Sequence, residues 1–126
     1  MLNPTTTLEI FQNHQQKHSY KADEAIFAEG EQSNFMYGII EGEVELTSNG
    51  QTIEKLGPGE VFGISALLEE QPRLYTAIAK KNCILAEVDR RHFLFITQEL
   101  PMFALEIMQS YATRLDRLAG LDKKSY

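Results

Sequence analysis

The chain has 126 residues, 43% of them hydrophobic, and a formal net charge of −6 from 12 basic and 18 acidic residues. That length suits one domain with one core, no apolar run approaches the roughly 18–20 residues of a membrane span, and the acidic balance opposes broad nucleic-acid binding, which needs a positive footprint. A lone cysteine, Cys83, excludes an internal disulfide, and no charged start followed by an apolar block marks a signal peptide. A single domain over residues 1–126 in a reducing cytoplasm is therefore expected. The small basic clusters Lys80-Lys81, Arg90-Arg91 and Lys123-Lys124 read as solvated charge.

Residues 1–7 read as a lead-in, and a short helix is predicted from Thr7 with Leu8 and Phe11 facing inward. From about residue 19 to 88 short strands alternate with turn signals. Val44 and Leu46 alternate with Glu43, Glu45 and Thr47, the period of a half-buried strand. Ser48-Asn49-Gly50-Gln51 is a hairpin signal, because Asn and Gly tolerate the positive φ of a primed turn. Ile53 and Leu56 are predicted to resume the inward face, with a register break between them. Gly57, Pro58 and Gly59 then stop the ladder, and strands return at Tyr75–Ala79 and Ile84–Val88, the latter following the strand thiol of Cys83.

The last third changes period. Asp89 is placed to cap a helix through Arg91–Gln98, with Phe93 and Ile96 as its apolar residues, and Pro101 suits the first turn of the next helix. That helix carries Ala104, Met108, Tyr111, Leu115 and Leu118 at alternating steps of four and three, a coiled-coil seam. Phe103 and Ile107 form a second apolar face. Two faces on one helix predict a homodimer.

The segment Gly57-Pro58-Gly59-Glu60-Val61-Phe62-Gly63-Ile64-Ser65-Ala66-Leu67-Leu68, followed by Pro72-Arg73, has the layout of an anion site: glycine for close backbone approach, a helix start for unpaired N–H donors, and arginine for a planar fork of donors. It resembles the phosphate-binding cassette of the cyclic-nucleotide-binding domain, the family of catabolite-activator regulators and of the regulatory subunits of cAMP-dependent kinase. Ala25-Ile26-Phe27-Ala28-Glu29-Gly30-Glu31, Tyr37-Gly38-Ile39-Ile40-Glu41-Gly42-Glu43-Val44, the strand from Ala79 to Cys83, His92-Phe93 and the helix from Pro101 resemble further motifs of the family in order, over about residues 8–119. The resemblance implies a mainly β fold: a double-stranded β-helix (jelly-roll) barrel over about 19–88, with C-terminal helices over about 90–119. It also implies a non-enzymatic regulatory module, whose ligand shifts the C-terminal helix for a regulatory protein partner to sense.

Carried over residue by residue, the family arginine matches Arg73, and the ligand-binding set becomes Phe62, Gly63, Ile64, Ser65, Ala66, Leu67, Arg73, Leu74 and Tyr75, with backbone N–H groups near Ala66 and Leu67 as anion donors. Relatives place a ribose-binding glutamate where this chain has Ile64, and small residues where it has Leu74 and Tyr75. Catabolite-activator-type regulators put an adenine-reaching Thr-Ser pair where it has Leu118-Ala119. The phosphate half of the site is retained and the sugar and base contacts are not. Two lost hydrogen bonds to charged groups, at about 1.5–3 kcal/mol each, correspond to roughly 10²- to 10⁴-fold in affinity. The ligand is expected to be a cyclic nucleotide or related anion, with ordinary cAMP binding weakly; the alternative is a degenerate domain serving only protein interaction and dimerisation.

Other chemistry is poorly supported. The three histidines, His14, His18 and His92, lack a metal-type spacing, and Ser65 lacks the closing glycine of a nucleophile elbow. No catalytic residue, metal or cofactor is assigned, and no direct contact with nucleic acid or membrane is expected.

Overall fold

The computed structural model describes residues 4–68 and 71–121, with side chains from Thr7 onward. Helix α1 (Pro4–Asn13) leads into eight strands: β1 (Lys17–Tyr20), β2 (Ala25–Phe27), β3 (Met36–Glu41), β4 (Val44–Ser48), β5 (Gln51–Leu56), β6 (Val61–Phe62), β7 (Thr76–Ala79) and β8 (Cys83–Val88). A four-residue helix, α2 (Ser65–Leu68), interrupts them between β6 and β7, and α3 (Arg90–Glu99) and α4 (Met102–Leu118) follow. The strands form two antiparallel four-stranded sheets, ordered β1-β8-β3-β6 and β2-β7-β4-β5. Strands that leave one sheet and return to the other produce a jelly roll, as expected.

Two apolar clusters follow from this layout. Phe27, Tyr37, Leu46, Leu56, Phe62 and Leu85 fill the space between the sheets. Phe11, Met36, Val61, Leu67, Val88, Phe103 and Ile107 join the outer side of the first sheet to α1, α3 and α4. Gly38 makes this second contact close: a Cβ there would lie 2.4 Å from the Phe11 ring, so only glycine lets α1 pack against β3.

Local chemistry accounts for the turns. Asn49 and Gly50 take positive φ (53° and 77°) in the β4–β5 hairpin, as their residue types predict. Register shifts there, with Leu46 opposite Glu54 and Thr47 opposite Thr52. The extra residue is Ile53 itself, which is exposed, so its expected inward position is corrected: the bulge turns it out while Leu56 stays buried. Asp89 caps α3 by accepting from the His92 N–H at 2.8 Å, and this bond holds its carboxyl below the usual range. Helix α1 starts earlier than predicted, at Pro4, and Thr7 is buried within it, donating to Glu106 at 2.8 Å. Among the described residues no helix is long and apolar enough to cross a membrane.

Candidate functional site

The cassette runs from the turn after β5 to the start of β7. Gly63 sits at φ +78° with Arg73 behind it; a Cβ there would lie 2.9 Å from the guanidinium. Arg73 is only 4% exposed. Its backbone is pinned to the β2–β3 loop, with the Arg73 N–H donating to Glu31 O at 2.9 Å and Gly30 N–H donating to Arg73 O at 2.8 Å. Its guanidinium lies over the Phe27 ring, 4.1 Å from the centroid. One terminal nitrogen donates to Gly63 O at 2.9 Å; the other donates to Ser33 Oγ at 2.7 Å and to Phe35 O. Nε is buried with no protein partner among the described residues. Burial pulls the guanidinium pKa down from its usual range, a desolvation effect that the neighbouring Tyr75 and Tyr37 oppose.

Glu69 and Glu70, the carboxylates nearest Arg73 in the sequence, lie outside the described residues. The cation is inside the domain and bonded to backbone carbonyls, a placement that sequence spacing does not distinguish from a surface pair.

The anion donors expected from the backbone are engaged. Ala66 N–H donates to Gly63 O at 3.3 Å and Leu67 N–H to Ile64 O at 2.9 Å, so the short α2 turn uses both groups expected to face an anion. The Gly63 N–H donates to the Tyr75 hydroxyl at 3.0 Å. Tyr111 of α4 is half-buried in the same apolar cluster as Ile64, on the helix side of the cassette. Burial raises the Tyr75 hydroxyl pKa and pushes Tyr111 up to about 12, so both stay neutral and able to hydrogen-bond at ordinary pH.

The predicted ligand-binding residues therefore separate into three groups. Phe62, Gly63, Arg73 and Tyr75 converge, with Phe27 between Phe62 (centroids 6.0 Å apart) and Tyr75 (5.5 Å). Ile64 and Leu67 pack toward the helices instead. Ser65 is exposed, and Leu74 is 73% exposed, so the bulk that sequence reasoning placed beside the phosphate position comes from Tyr75 alone.

Sequence reasoning missed a second buried arginine. Arg114 of α4 makes a bidentate pair with Glu54 of β5, both bonds 2.9 Å, and donates a third bond to Val61 O. Its guanidinium lies 4.4 Å from the Tyr111 ring centroid. Burial alone would lower its pKa, but the Glu54 carboxylate outweighs that and raises it. This pair clamps α4 to the barrel beside the cassette. Of the predicted dimer seam, Met108, Leu115 and Leu118 are exposed and Ala104 is partly so, while Tyr111 turns toward the barrel. Phe103 and Ile107 are buried against the domain itself.

Among the described residues no group of three or more His, Cys, Asp or Glu side chains is placed to hold a metal. His14 and His18 do not share a helix face: α1 ends at Asn13, and His18 lies in β1.

The chain is thus a small jelly-roll domain that combines a glycine turn, a short helix and a buried arginine in one cassette. The chain belongs to the cyclic nucleotide-binding domain family, whose model matches residues 17–99. It is similar to the cyclic AMP receptor protein of Thermus thermophilus, with 32% identity over 105 residues, covering 79% of this chain and 49% of that protein. It is 34% identical over 70 residues to the cAMP-dependent protein kinase regulatory subunit of Yarrowia lipolytica, covering 56% of this chain and 19% of that one. The crystal structure of Thermus thermophilus catabolite activator protein superposes with a TM-score of 0.73 at 29% identity, covering 89% of this chain and 55% of that chain. The chain thus spans about half the length of the first curated relative and a fifth of the second.

Proposed function

We propose that the chain is a non-enzymatic regulatory module whose 57–75 cassette receives a cyclic nucleotide or related small anion against Arg73, with ordinary cAMP held weakly. One observation carries this reading. The cassette keeps its arginine, but Tyr75 occupies the Gly63 amide that an anion would use, at 3.0 Å. An incoming phosphate on that amide must displace that hydroxyl, and Tyr111, packed in the same cluster as Ile64 on the α4 side, would shift with the turn. The phosphate's binding energy is reduced by the bonds it breaks. Displacement of Tyr111 would loosen α4 next to the Arg114–Glu54 clamp, and a protein partner would sense that helix. The relatives named for cAMP support the ligand class, and the buried Cys83 thiol suits a reducing cytoplasm.

A second reading, a domain that no longer binds nucleotide and serves protein interaction, is favoured by the inward packing of Ile64 where relatives carry a ribose-binding glutamate. Calorimetry with cAMP and cGMP separates the two. The parent protein is expected to bind at millimolar concentration or weaker. The variant Ile64→Glu, Leu74→Ser, Tyr75→Ala is expected to gain roughly 10²-fold. Micromolar binding by the parent overturns the weak-binding reading, and failure of a folded repaired variant to bind favours the interaction module.

A further inference from the structure

One concavity of the domain lies away from the cassette. A groove of about 1060 Å³ runs between α1, α3 and the start of α4. That volume lies at the upper end of the roughly 300–1,000 Å³ of small-ligand pockets. Its walls are apolar: Ile10 from α1, Phe95 and Ile96 from α3, and Leu100, Met102 and Phe103 from the α3–α4 corner. Phe95 is 61% exposed, and Leu100 and Met102 are about half exposed. The turns that present them are firmly held, because Phe103 and Ile107 are buried beneath and Thr7 bonds to Glu106 across the floor.

The rim carries one sign of charge. Glu9 and Glu99 are exposed at the groove, Glu106 is buried in its lining, and among the described residues that lining holds no lysine or arginine. His14 and His92 stand edge to face at one end, 5.5 Å between centroids, each tied to the protein by its own hydrogen bond. An apolar trough with an acidic edge complements an amphipathic helix that has a hydrophobic stripe flanked by lysine or arginine. Helix α3 is about 15 Å long, enough to lie beside three turns of such a helix. An exposed methionine at the lip, Met102, adapts to the shape of an incoming side chain.

We propose that this groove docks a basic amphipathic helix of a partner protein, through Phe95, Leu100 and Met102 with Glu9 and Glu99 at the edge. The site is separate from the cassette and does not depend on nucleotide binding. The test uses a labelled leucine–lysine peptide with helical amphipathic spacing, titrated by fluorescence anisotropy and mapped by amide chemical-shift changes. Saturable binding is expected, with shifts concentrated in residues 9–16 and 92–106. Phe95→Ala and Glu99→Lys should each weaken binding about tenfold. Glu29→Lys makes the same change in net charge at an exposed position far along the chain and should leave affinity nearly unchanged. Equal loss in Glu99→Lys and Glu29→Lys would show attraction to net charge alone and overturn the proposal. So would the absence of saturable binding, or shifts centred elsewhere. Concentration-dependent shifts of the groove residues without peptide would assign the groove to a second copy of this chain, and also overturn it.

Discussion

Tyr75 and Gly63 are tied together in the cassette by one hydrogen bond of 3.0 Å. Replacing Tyr75 with Phe keeps the ring against Phe27 and removes only the hydroxyl that accepts the Gly63 N–H. Leaving that buried donor unpaired should cost about 1–3 kcal/mol in denaturant unfolding, while nucleotide affinity rises because the amide is freed. Both changes are expected together; a loss of stability with unchanged affinity would separate Tyr75 from the ligand. Gly63→Ala should destabilise through a different cause, positive φ and a Cβ 2.9 Å from the Arg73 guanidinium. The residue types at these positions were legible in the sequence, and the contact between them was not. A tyrosine on a strand reads as core, and nothing local shows that its hydroxyl meets an amide twelve residues earlier.

The same tyrosines give a pH dependence. Tyr111 is raised from 10.0 to about 12, with burial as the main cause, and Tyr75 and Tyr37 move in the same direction. A raised folded-state pKa means the native protein holds the proton more tightly than the unfolded chain. The stabilisation is complete below about pH 10 and is lost as pH climbs toward 12. At about 1.4 kcal/mol per pH unit, Tyr111 alone accounts for roughly 2–3 kcal/mol across that window. Alkaline unfolding followed by tyrosinate absorbance should show ionisation and loss of structure together. Free ionisation near pH 10 with the fold intact would contradict the burial of Tyr111.

At the scale of elements, α4 is held to the domain by the buried Arg114–Glu54 pair, the Arg114 bond to Val61 O, a more exposed Arg117–Glu60 pair and the apolar packing of Phe103, Ile107 and Tyr111. Glu54→Ala leaves Arg114 buried without its carboxylate and should cost about 3–5 kcal/mol. Adding Arg114→Met should recover much of that loss, because an apolar replacement for a buried pair is often neutral or better. A double-mutant cycle in urea measures the coupling, and additive single effects would show that the clamp contributes nothing. The strands, the Asn49-Gly50 turn and the Asp89 cap could be read from sequence because each rests on neighbours within a few residues. The Glu54–Arg114 and Thr7–Glu106 contacts join residues 60 and 99 apart, and no period or turn signal brings such pairs together. Ile53 shows the converse: alternation predicted it inward, and a single bulged residue reversed its face.

At the scale of the whole molecule, the division of α4 into two faces determines how copies of the chain would meet. Phe103, Ile107 and Arg114 are used against the barrel, so the exposed stripe of Met108, Leu115 and Leu118, continued by Ala104, is unneeded by the domain's own core. At 100° per residue these four positions fall within an arc of about 80°, narrow enough for a two-helix seam. Tyr111, expected in that seam, instead packs into the domain's second apolar cluster and under the Arg114 guanidinium, which leaves the seam's centre shallow and favours close approach of a second α4. The chain is therefore expected to sediment as a homodimer at micromolar concentration, paired through α4. Leu115 is 65% exposed within one copy, so Leu115→Glu should leave the thermal unfolding of the fold nearly unchanged while placing a charge in the dry seam. Sedimentation velocity should then show a monomer. A parent protein that is already monomeric would remove the pairing altogether, and a variant that remains dimeric would move it away from α4.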